Sequence, residues 1–128
     1  MMRYYGAMTK VLGILPARLG STRLPRKMLA DIDGKPLIYH SWSQAKKAKL
    51  LDDVIIATDA EEISDAVTPY GAETMMTPVE IASGSDRVAY AAAHYTKFQP
   101  DIVVNIQGDE PLMPPEAIDA CVQALIDD

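Results

Sequence analysis

Short runs of apolar residues recur along the chain, and each is followed by a segment in which apolar residues have helical spacing. The apolar runs cover residues 10–15, 54–57, 72–76 and 102–106, of which the third is the weakest. A continuous apolar run predicts a strand buried on both faces, and such strands alternating with helices are typical of a parallel sheet. We therefore predict an α/β fold with a doubly wound, mainly parallel sheet and helices on both of its faces.

The segments between the apolar runs carry signals for helix boundaries. Helices are predicted over residues 35–49, 59–71, 83–95 and from 114 onwards. Pro36 suits a first helical turn, because a proline there leaves no N–H unpaired. Asp59 with Glu62 three residues later, and Ser83 with Asp86, are each typical of a helix N-terminus. With no repeat or linker in between, residues 10–128 are expected to form one compact unit, preceded by a poorly ordered extension over residues 1–9.

The formal net charge of −6 is divided unequally along the chain. Residues 1–49 carry ten basic and two acidic side chains, a net charge of +8, whereas residues 50–128 carry two basic and sixteen acidic ones, a net charge of −14. Such a division suggests that one edge of the protein binds a small anion. The acidic total and the few aromatic residues argue against a nucleic-acid partner, which needs an extended basic surface and stacking rings.

Cys121 is the single cysteine, which excludes an internal disulfide bond. It lies in an apolar helical pattern with Ile118, Val122 and Leu125, and we predict that it is a small core residue. No apolar run approaches the 18 residues that a membrane span needs, and the first eight residues lack the apolar stretch of a secretion signal. We therefore expect a cytoplasmic protein with no membrane partner.

The connection after the first predicted strand is unusually long. If Pro16 stops that strand, the connection runs for nineteen residues to Gly34, whereas such connections usually take two to six. Its small and basic residues are Gly20, Ser21, Thr22, Arg18, Arg23, Arg26 and Lys27. Backbone N–H groups of small residues, together with cationic side chains, are what an extended phosphate needs. We predict a phosphate-binding loop, although it matches neither G-x-x-x-x-G-K-[ST] nor G-x-G-x-x-G.

A second candidate turn follows the last predicted strand, at residues 105–111. A carboxylate directly after a buried parallel strand faces the crevice in which ligands of this fold class bind. Asp109 can therefore hold Mg²⁺ together with substrate phosphate oxygens. Residues 83–87 fit either a simple helix cap or an anion-binding helix N-terminus. His40 and His94 lie in predicted helices, and we expect surface or packing residues there rather than a general base.

Five segments, taken in order, carry a resemblance to a known family. They are residues 16–27 (PARLGSTRLPRK), 31–36 (DIDGKP), 57–59 (ATD), 83–87 (SGSDR) and 107–111 (QGDEP). Together they resemble the 3-deoxy-manno-octulosonate (Kdo) cytidylyltransferases. The resemblance implies the Rossmann-like half of a nucleotide-diphospho-sugar transferase fold. It also implies an enzyme that transfers CMP from CTP to the anomeric hydroxyl of Kdo, releasing pyrophosphate and giving CMP-Kdo for lipopolysaccharide assembly.

The resemblance further implies roles for individual residues. Arg18, Arg23 and Lys27 would hold the triphosphate, with Arg18 and Lys27 also acting in catalysis. Asp109 would bind the catalytic Mg²⁺, and Gln107 would face the sugar or the nucleotide. The residues implied to frame the cytidine are Pro16, Ala17, Ser83 and Arg87.

Two features depart from the family pattern. Arg26 stands where the family usually has glycine, and it adds another candidate phosphate contact. Family members also continue well beyond residue 128, so residues 10–128 are expected to be a nucleotide-binding half that lacks the C-terminal half with most of the Kdo pocket. Such a chain is expected to be inactive or impaired in catalysis and to self-associate or be marginally stable, whereas the full-length form would be a homodimer. The alternatives are a nucleotide-binding or anion-binding module without transferase activity, and a cytidylyltransferase for amino-Kdo or sialic acid.

Overall fold

The computed structural model describes residues 9–20 and 26–127. The predicted extension over residues 1–9 therefore lies almost entirely outside the described residues, and so does Arg23. In chain order the elements are β1 (Val11–Ala17), β2 (Asp31–Ile32), β3 (Lys35–Pro36), α1 (Leu37–Ala45), β4 (Asp53–Thr58), α2 (Glu61–Val67), β5 (Glu73–Met76), α3 (Gly84–His94), β6 (Ile102–Asn105) and α4 (Pro115–Asp127). Short 3-10 turns at Lys27–Leu29 and Thr68–Tyr70 complete the described structure.

Four of the strands form one parallel sheet in the order β5-β4-β1-β6. β1 lies at its centre and pairs with β4 from Leu12 to Ala17 and with β6 from Val11 to Ile14. The four strands correspond to the four apolar runs of the sequence, including the weak third one. The chain crosses from one neighbour of β1 to the other, which is the doubly wound arrangement that the sequence predicts.

Alternate residues of the central strands pack against helices on opposite faces of the sheet. On one face, Leu15 and Ile56 pack with residues of α1 and α2 such as Ile38 and Ile63. On the other face, side chains of β1 and β4 pack against α3, in a cluster formed by Leu12, Ile14, Ile55, Ala57, Val88, Ala91 and Tyr95. Both faces of the sheet are therefore covered, which explains why β1 and β4 are buried along nearly their whole length rather than at alternate residues.

The first strand is longer than the sequence indicates. Pro16 does not stop β1, because Pro16 and Ala17 still pair with Ala57 and Thr58 of β4. The pairing of β1 with β6 ends at Ile14, so β1 has no strand partner on that side at residue 16. A proline is tolerated where one side of a strand is unpaired, since its missing N–H breaks no ladder hydrogen bond there.

The long connection after β1 also contains a small antiparallel hairpin, β2–β3, which the sequence analysis missed. Its two-residue turn is Asp33-Gly34, and both residues have positive φ, 53° and 86°. Asp-Gly is a strong signal for this type of turn, so the sequence did carry the information. Because Lys35 and Pro36 belong to β3, α1 begins only at Leu37 with Pro36 as its N-cap, and it ends at Ala45 instead of continuing to residue 49.

Two predicted helix caps have different outcomes. The cap of α3 is confirmed, because the backbone N–H of Asp86 donates to Ser83 Oγ at 3.0 Å. The cap of α2 is wrong: the N-cap is Ala60, whose side chain makes no capping hydrogen bond. The predicted pair, Asp59 and Glu62, binds arginines from elsewhere in the chain instead.

The last helix buries less than its apolar pattern predicts. In α4 only Ile118 and Val122, four residues apart on one face, are buried. Cys121 is exposed, which corrects its prediction as a core residue, and Leu125 is half exposed at 51 %. Adjacent helical residues point about 100° apart, so a helix that packs along one narrow stripe leaves the neighbour of a buried residue outside. Within the described ranges, no helix is both long and apolar enough to cross a membrane.

Candidate active site

A cleft of about 400 Å³ lies at the carboxyl end of β1, between the turn that follows β6 and the start of α3. This is the edge at which ligands bind in doubly wound sheets. Its lining residues are Pro16, Arg18, Gly20, Lys27, Met28, Gly84, Arg87, Gln107 and Asp109. Seven of them are residues singled out in the sequence: Pro16, Arg18, Gly20, Lys27, Arg87, Gln107 and Asp109. The fold therefore brings the predicted phosphate loop and the predicted acidic turn onto one cavity.

Lys27 and Asp109 meet across this cleft. Lys27 belongs to the 3-10 turn Lys27–Leu29, and Asp109 lies in the turn after β6, which ends at Asn105. The Lys27 ammonium group donates to Asp109 Oδ2 at 2.8 Å, with 40 % and 35 % of the two side chains exposed. A ligand that enters from solvent can therefore reach both groups. When no ligand is bound, the charge of each group is partly neutralised by the other.

Arg18 lies just beyond the end of β1 and reaches over to the segment that precedes α3. Its guanidinium donates to the carbonyl of Ala82 at 2.8 Å, across 64 residues of sequence. This bond leaves further guanidinium N–H groups of Arg18, an exposed residue on the cleft, for an anion. Ala17, the last residue of β1, is buried, so that only its backbone faces the end of the strand.

Arg87 has a different environment, because its side chain is fully buried although it lies at the cleft. Its guanidinium donates to Thr77 Oγ1 and to the carbonyl of Ile81 at 2.8 Å, with a longer contact of 3.4 Å to Pro78. Burial lowers the pKa of Arg87, and the carboxylate of Asp59, 3.7 Å away, opposes this effect. Arg87 therefore fastens the segment 77–82 to α3, and Arg18 holds the same segment from the β1 side.

Sequence reasoning missed Asp59 as a residue of this region. Asp59 directly follows β4, and its carboxylate is the acidic partner of the buried Arg87. The signal that singled out Asp109, an acid at the carboxyl end of a buried strand, applies equally to Asp59. The capping pattern with Glu62 pointed to a different role, and the structure does not support that pattern.

Gly108 is a second residue that sequence reasoning missed, and it allows the turn before Asp109 to approach β1. A Cβ atom at this position would lie 3.2 Å from the carbonyl oxygen of Pro16 and 2.9 Å from Ile38 Cδ1. The backbone of the turn can come this close only because glycine has no side chain. Gly108 thereby positions both Gln107 and Asp109 at the cleft.

The other predicted residues take varied positions. Ser83 caps α3 through its hydroxyl and is not among the cleft-lining residues, whereas Gly84, next to it, is. Arg26 lines a separate cavity of about 290 Å³ and pairs with Glu62, so the structure does not bring it to the cleft with the other predicted phosphate contacts. His40 and His94 lie off the cleft, in contact with the backbone carbonyls of Ile32 and Tyr90.

The donor set of the cleft fits a hard divalent cation held jointly with a substrate. Asp109 supplies carboxylate oxygens, which Mg²⁺ prefers, and Mg²⁺ commonly takes one or two carboxylates with substrate phosphates completing its shell. In the part of the chain that the structure describes, no three His, Cys, Asp or Glu side chains group into a self-sufficient metal site. The cleft thus fits a metal that arrives with a phosphate ligand.

Comparison with known protein families decides the classification. A model of the cytidylyltransferase family matches residues 12–128, which is nearly the whole chain. The chain belongs to the cytidylyltransferase family. Its fold is shared with a solved structure, that of CMP:2-keto-3-deoxy-manno-octonic acid synthetase complexed with CTP. The two are 38 % identical with a TM-score of 0.88, over 94 % of this chain and 48 % of that one.

Curated relatives of this cytidylyltransferase chain carry a more specific name. Proteins from Chloroherpeton thalassium and Chlorobium chlorochromatii, both named 3-deoxy-manno-octulosonate cytidylyltransferase, are 46 % and 52 % identical to it. The matches cover 92 % and 86 % of this chain but only 47 % and 43 % of those proteins. The chain therefore spans about half the length of the curated relatives it matches.

Proposed function

We propose that this chain is the CTP-binding part of an enzyme that transfers CMP from CTP to the anomeric hydroxyl of Kdo. The products would be CMP-Kdo, for lipopolysaccharide assembly, and pyrophosphate. The observation that carries the proposal is the convergence of Arg18, Lys27, Gln107 and Asp109 on one cleft at the carboxyl end of the sheet. The names of the relatives support cytidylyl transfer to Kdo rather than to another acceptor.

The reaction is an in-line displacement at the α-phosphorus of CTP. The anomeric oxygen of Kdo forms a bond to that phosphorus, the bond to the bridging oxygen of the β-phosphate breaks, and the hydroxyl proton passes to solvent or to a phosphate oxygen. Positioning and charge neutralisation supply most of the catalysis in such transfers. We assign no histidine as a base, since His40 and His94 lie off the cleft.

The cationic side chains would bind and orient the triphosphate. Arg18 and Lys27 face the cleft from two sides and provide directional N–H donors to non-bridging oxygens. Charge that develops on the departing pyrophosphate would be stabilised by these donors. Arg23, predicted to join them, belongs to the residues that the structure does not describe, and its role remains part of the proposal.

Asp109 would hold Mg²⁺ together with phosphate oxygens of CTP, and the ion would supply Lewis-acid stabilisation of the phosphate charge. Gln107, on the same turn, would donate or accept a hydrogen bond at the sugar or the nucleotide. Pro16, Ala17, Ser83 and Arg87 would frame the cytidine, with Arg87 acting through the segment 77–82 that it holds. The ion pair between Lys27 and Asp109 would open as both groups turn to the substrate.

The remaining partners follow from the same proposal. CTP and Kdo are the small-molecule substrates, and neither a nucleic acid nor a membrane is proposed as a partner. The proposed location is the cytoplasm, as the resemblance to the family implies. A longer form with the length of the relatives is proposed to be a homodimer, and the present chain to self-associate, since apolar side chains such as Leu125 and Val103 are exposed.

Calorimetric titration of the chain with CTP, UTP and ATP, each with Mg²⁺, tests the binding part of the proposal. We expect the chain to bind CTP more tightly than UTP or ATP. Lys27→Ala and Asp109→Ala should each weaken the affinity for CTP at least tenfold. Lys49→Ala, at an exposed residue of the same chain, should leave that affinity unchanged. Equal affinity for the three nucleotides, or unchanged binding in both cleft variants, would contradict the assignment.

Pyrophosphate release tests the transfer itself. The fact that the chain spans half the length of its relatives favours a second candidate, a module that binds the nucleotide without transferring it. A protein extended to the length of the relatives should release pyrophosphate from CTP only when Kdo is added. Release with sialic acid or amino-Kdo instead would change the acceptor, and release with no acceptor sugar would identify a binder with incidental hydrolysis.

A further inference from the structure

Arg26 has a backbone conformation that is unfavourable for a residue with a side chain. Its φ is 66° and its ψ is 21°, in the left-handed region that glycine adopts readily. Its N–H donates to the carbonyl of Leu19 at 2.9 Å, and its carbonyl accepts from the N–H of Leu29 at 3.0 Å. Arg26 thus closes the loop that leaves β1 and starts the 3-10 turn Lys27–Leu29. A non-glycine residue at such a corner needs a compensating interaction.

The side chain of Arg26 provides that interaction by binding the first turn of α2. Its guanidinium contacts both carboxylate oxygens of Glu62, with Nη1 donating to Oε1 at 2.9 Å and Nη2 pairing with Oε2. Hydrogen bonding from Arg26 lowers the pKa of Glu62, which favours the ionised carboxylate. About half of each side chain is exposed, and exposed ion pairs add little to overall stability. A bidentate pair does, however, fix the relative orientation of the two groups.

This pair lies one residue from the functional lysine. Lys27 follows Arg26 directly, and its carbonyl accepts from the N–H of Ala30 at 3.1 Å within the same turn. At the far end of its side chain, Lys27 reaches Asp109 across the cleft. A continuous series of contacts therefore runs from α2 through Glu62, Arg26 and Lys27 to the turn after β6.

We infer that Arg26 is a positioning residue: by docking on Glu62 it holds the turn that presents Lys27 to the cleft. The inference rests on the proposed function for its consequence, because Lys27 is there assigned to the triphosphate. Arg26 is thereby assigned a structural role instead of a direct contact with phosphate. Its guanidinium is paired with Glu62 of α2, and the cavity that it lines is separate from the cleft.

Two substitutions separate this role from a purely backbone one. Arg26→Gly removes the side chain and also relieves the positive φ, so a backbone role alone would leave the loop equally or better ordered. Glu62→Gln leaves the backbone of Arg26 untouched and removes only the charge of its partner. Glu61→Gln is the matched control, because Glu61 is an exposed acid on the same helical turn. Arg26→Lys keeps the charge without the fork and should rescue part of the effect.

The first readout needs no nucleotide. Amide hydrogen exchange of Leu29 and Ala30, whose N–H groups close the turn, is compared with that of Arg87 in α3, whose N–H donates to the carbonyl of the N-cap residue Ser83. We expect Glu62→Gln and Arg26→Gly to speed exchange at Leu29 and Ala30 at least threefold and to leave Arg87 unchanged. Glu61→Gln should change none of them. Exchange at Leu29 and Ala30 that stays at the wild-type rate in both variants would overturn the inference.

The second readout is the affinity for CTP with Mg²⁺. We expect three- to tenfold weaker binding in Glu62→Gln and Arg26→Gly, with Arg26→Lys in between and Glu61→Gln equal to the wild type. Binding by Arg26→Gly that is as tight as or tighter than wild type also overturns the inference, because the side chain would then contribute nothing. If the unmodified chain binds no CTP, the proposed function fails, while the exchange rates still decide whether Glu62 holds the turn.

Discussion

Replacing Arg87 with methionine tests how the wall of the cleft is held together. The fully buried guanidinium is the shared donor for Thr77 Oγ1 and for the carbonyls of Pro78 and Ile81, and it faces the carboxylate of Asp59. Methionine is unbranched and fills much of the same space without any donor. The variant therefore leaves buried acceptors and a carboxylate that is only 15 % exposed without their partner.

The expected cost follows from these contacts. Breaking a well-formed buried ion pair costs about 3–5 kcal/mol, because one charge is left uncompensated. The separation of 3.7 Å from Asp59 and the partial exposure of that carboxylate place this pair below that range. Replacing Arg87 also removes a buried Nε atom that has no hydrogen-bond partner, which offsets part of the cost. We therefore expect the free energy of unfolding to fall by about 2–3 kcal/mol.

Urea unfolding followed by far-ultraviolet circular dichroism measures this loss. The midpoint should fall while the dependence on urea stays the same, since the unfolded surface is unchanged. Lys49→Met is the control for removing a cation from an exposed site, and Asp59→Asn should cost less than Arg87→Met because it leaves the other acceptors bonded. A loss in Arg87→Met of less than about 0.5 kcal/mol, equal to that of the control, would refute the role of the guanidinium as an organiser of the segment.

Three further outcomes are expected. Gly108→Ala should lower the free energy of unfolding by about 1–3 kcal/mol in the same urea assay, because its Cβ would meet the carbonyl of Pro16. Burial and donation of a hydrogen bond to Asp53 raise the pKa of the Tyr95 hydroxyl above its usual value. The neutral hydroxyl therefore stabilises the fold fully below about pH 10, and this stabilisation is lost as the pH rises further. Tyr95→Phe should flatten the resulting alkaline decline in the free energy of unfolding. Lys27→Met should strengthen the binding of Mn²⁺ in the absence of nucleotide about fivefold, because it frees the Asp109 carboxylate from its ammonium partner. Electron paramagnetic resonance of the free ion measures this binding.

Each of these outcomes has a result that would contradict it. Gly20→Ala, at a position where an added Cβ meets nothing within 4 Å, is the control for Gly108→Ala, and equal stability of the two variants would remove the close-approach argument. An identical alkaline decline in Tyr95→Phe and wild type would show that another group titrates there. Weaker or unchanged Mn²⁺ binding in Lys27→Met would mean that the ammonium group does not compete for the carboxylate.

The outline of the site was predictable because its signals are local. The apolar runs around Ile14 and Val104 form β1 and β6, and the polar residues that follow them carry Lys27 and Asp109. Parallel strands have their carboxyl ends at the same edge of a sheet, so polar side chains that follow neighbouring strands lie close together at that edge. The signal for the β2–β3 hairpin, Asp33-Gly34, is equally local. It was missed because the basic residues of the same segment suggested one continuous ligand-binding loop.

The sheet, its coverage on both faces and the edge that carries the candidate cleft follow from the sequence alone, because strand burial and helix periodicity depend on residue order along short stretches. The partner of each charged side chain, by contrast, depends on the folded arrangement of the whole chain. Arg26 and Arg87 look alike in a list of basic residues, yet one is half exposed on Glu62 and the other is buried among the carbonyls of segment 77–82. The hydrogen-bond acceptor of Arg26 lies 36 residues away along the chain, whereas those of Arg87 lie at most 10 residues away. Folding decides between such partners, because it replaces water with specific acceptors. The exposure of Cys121 has the same origin, since which stripe of a helix is buried depends on the surface that the rest of the fold presents to it.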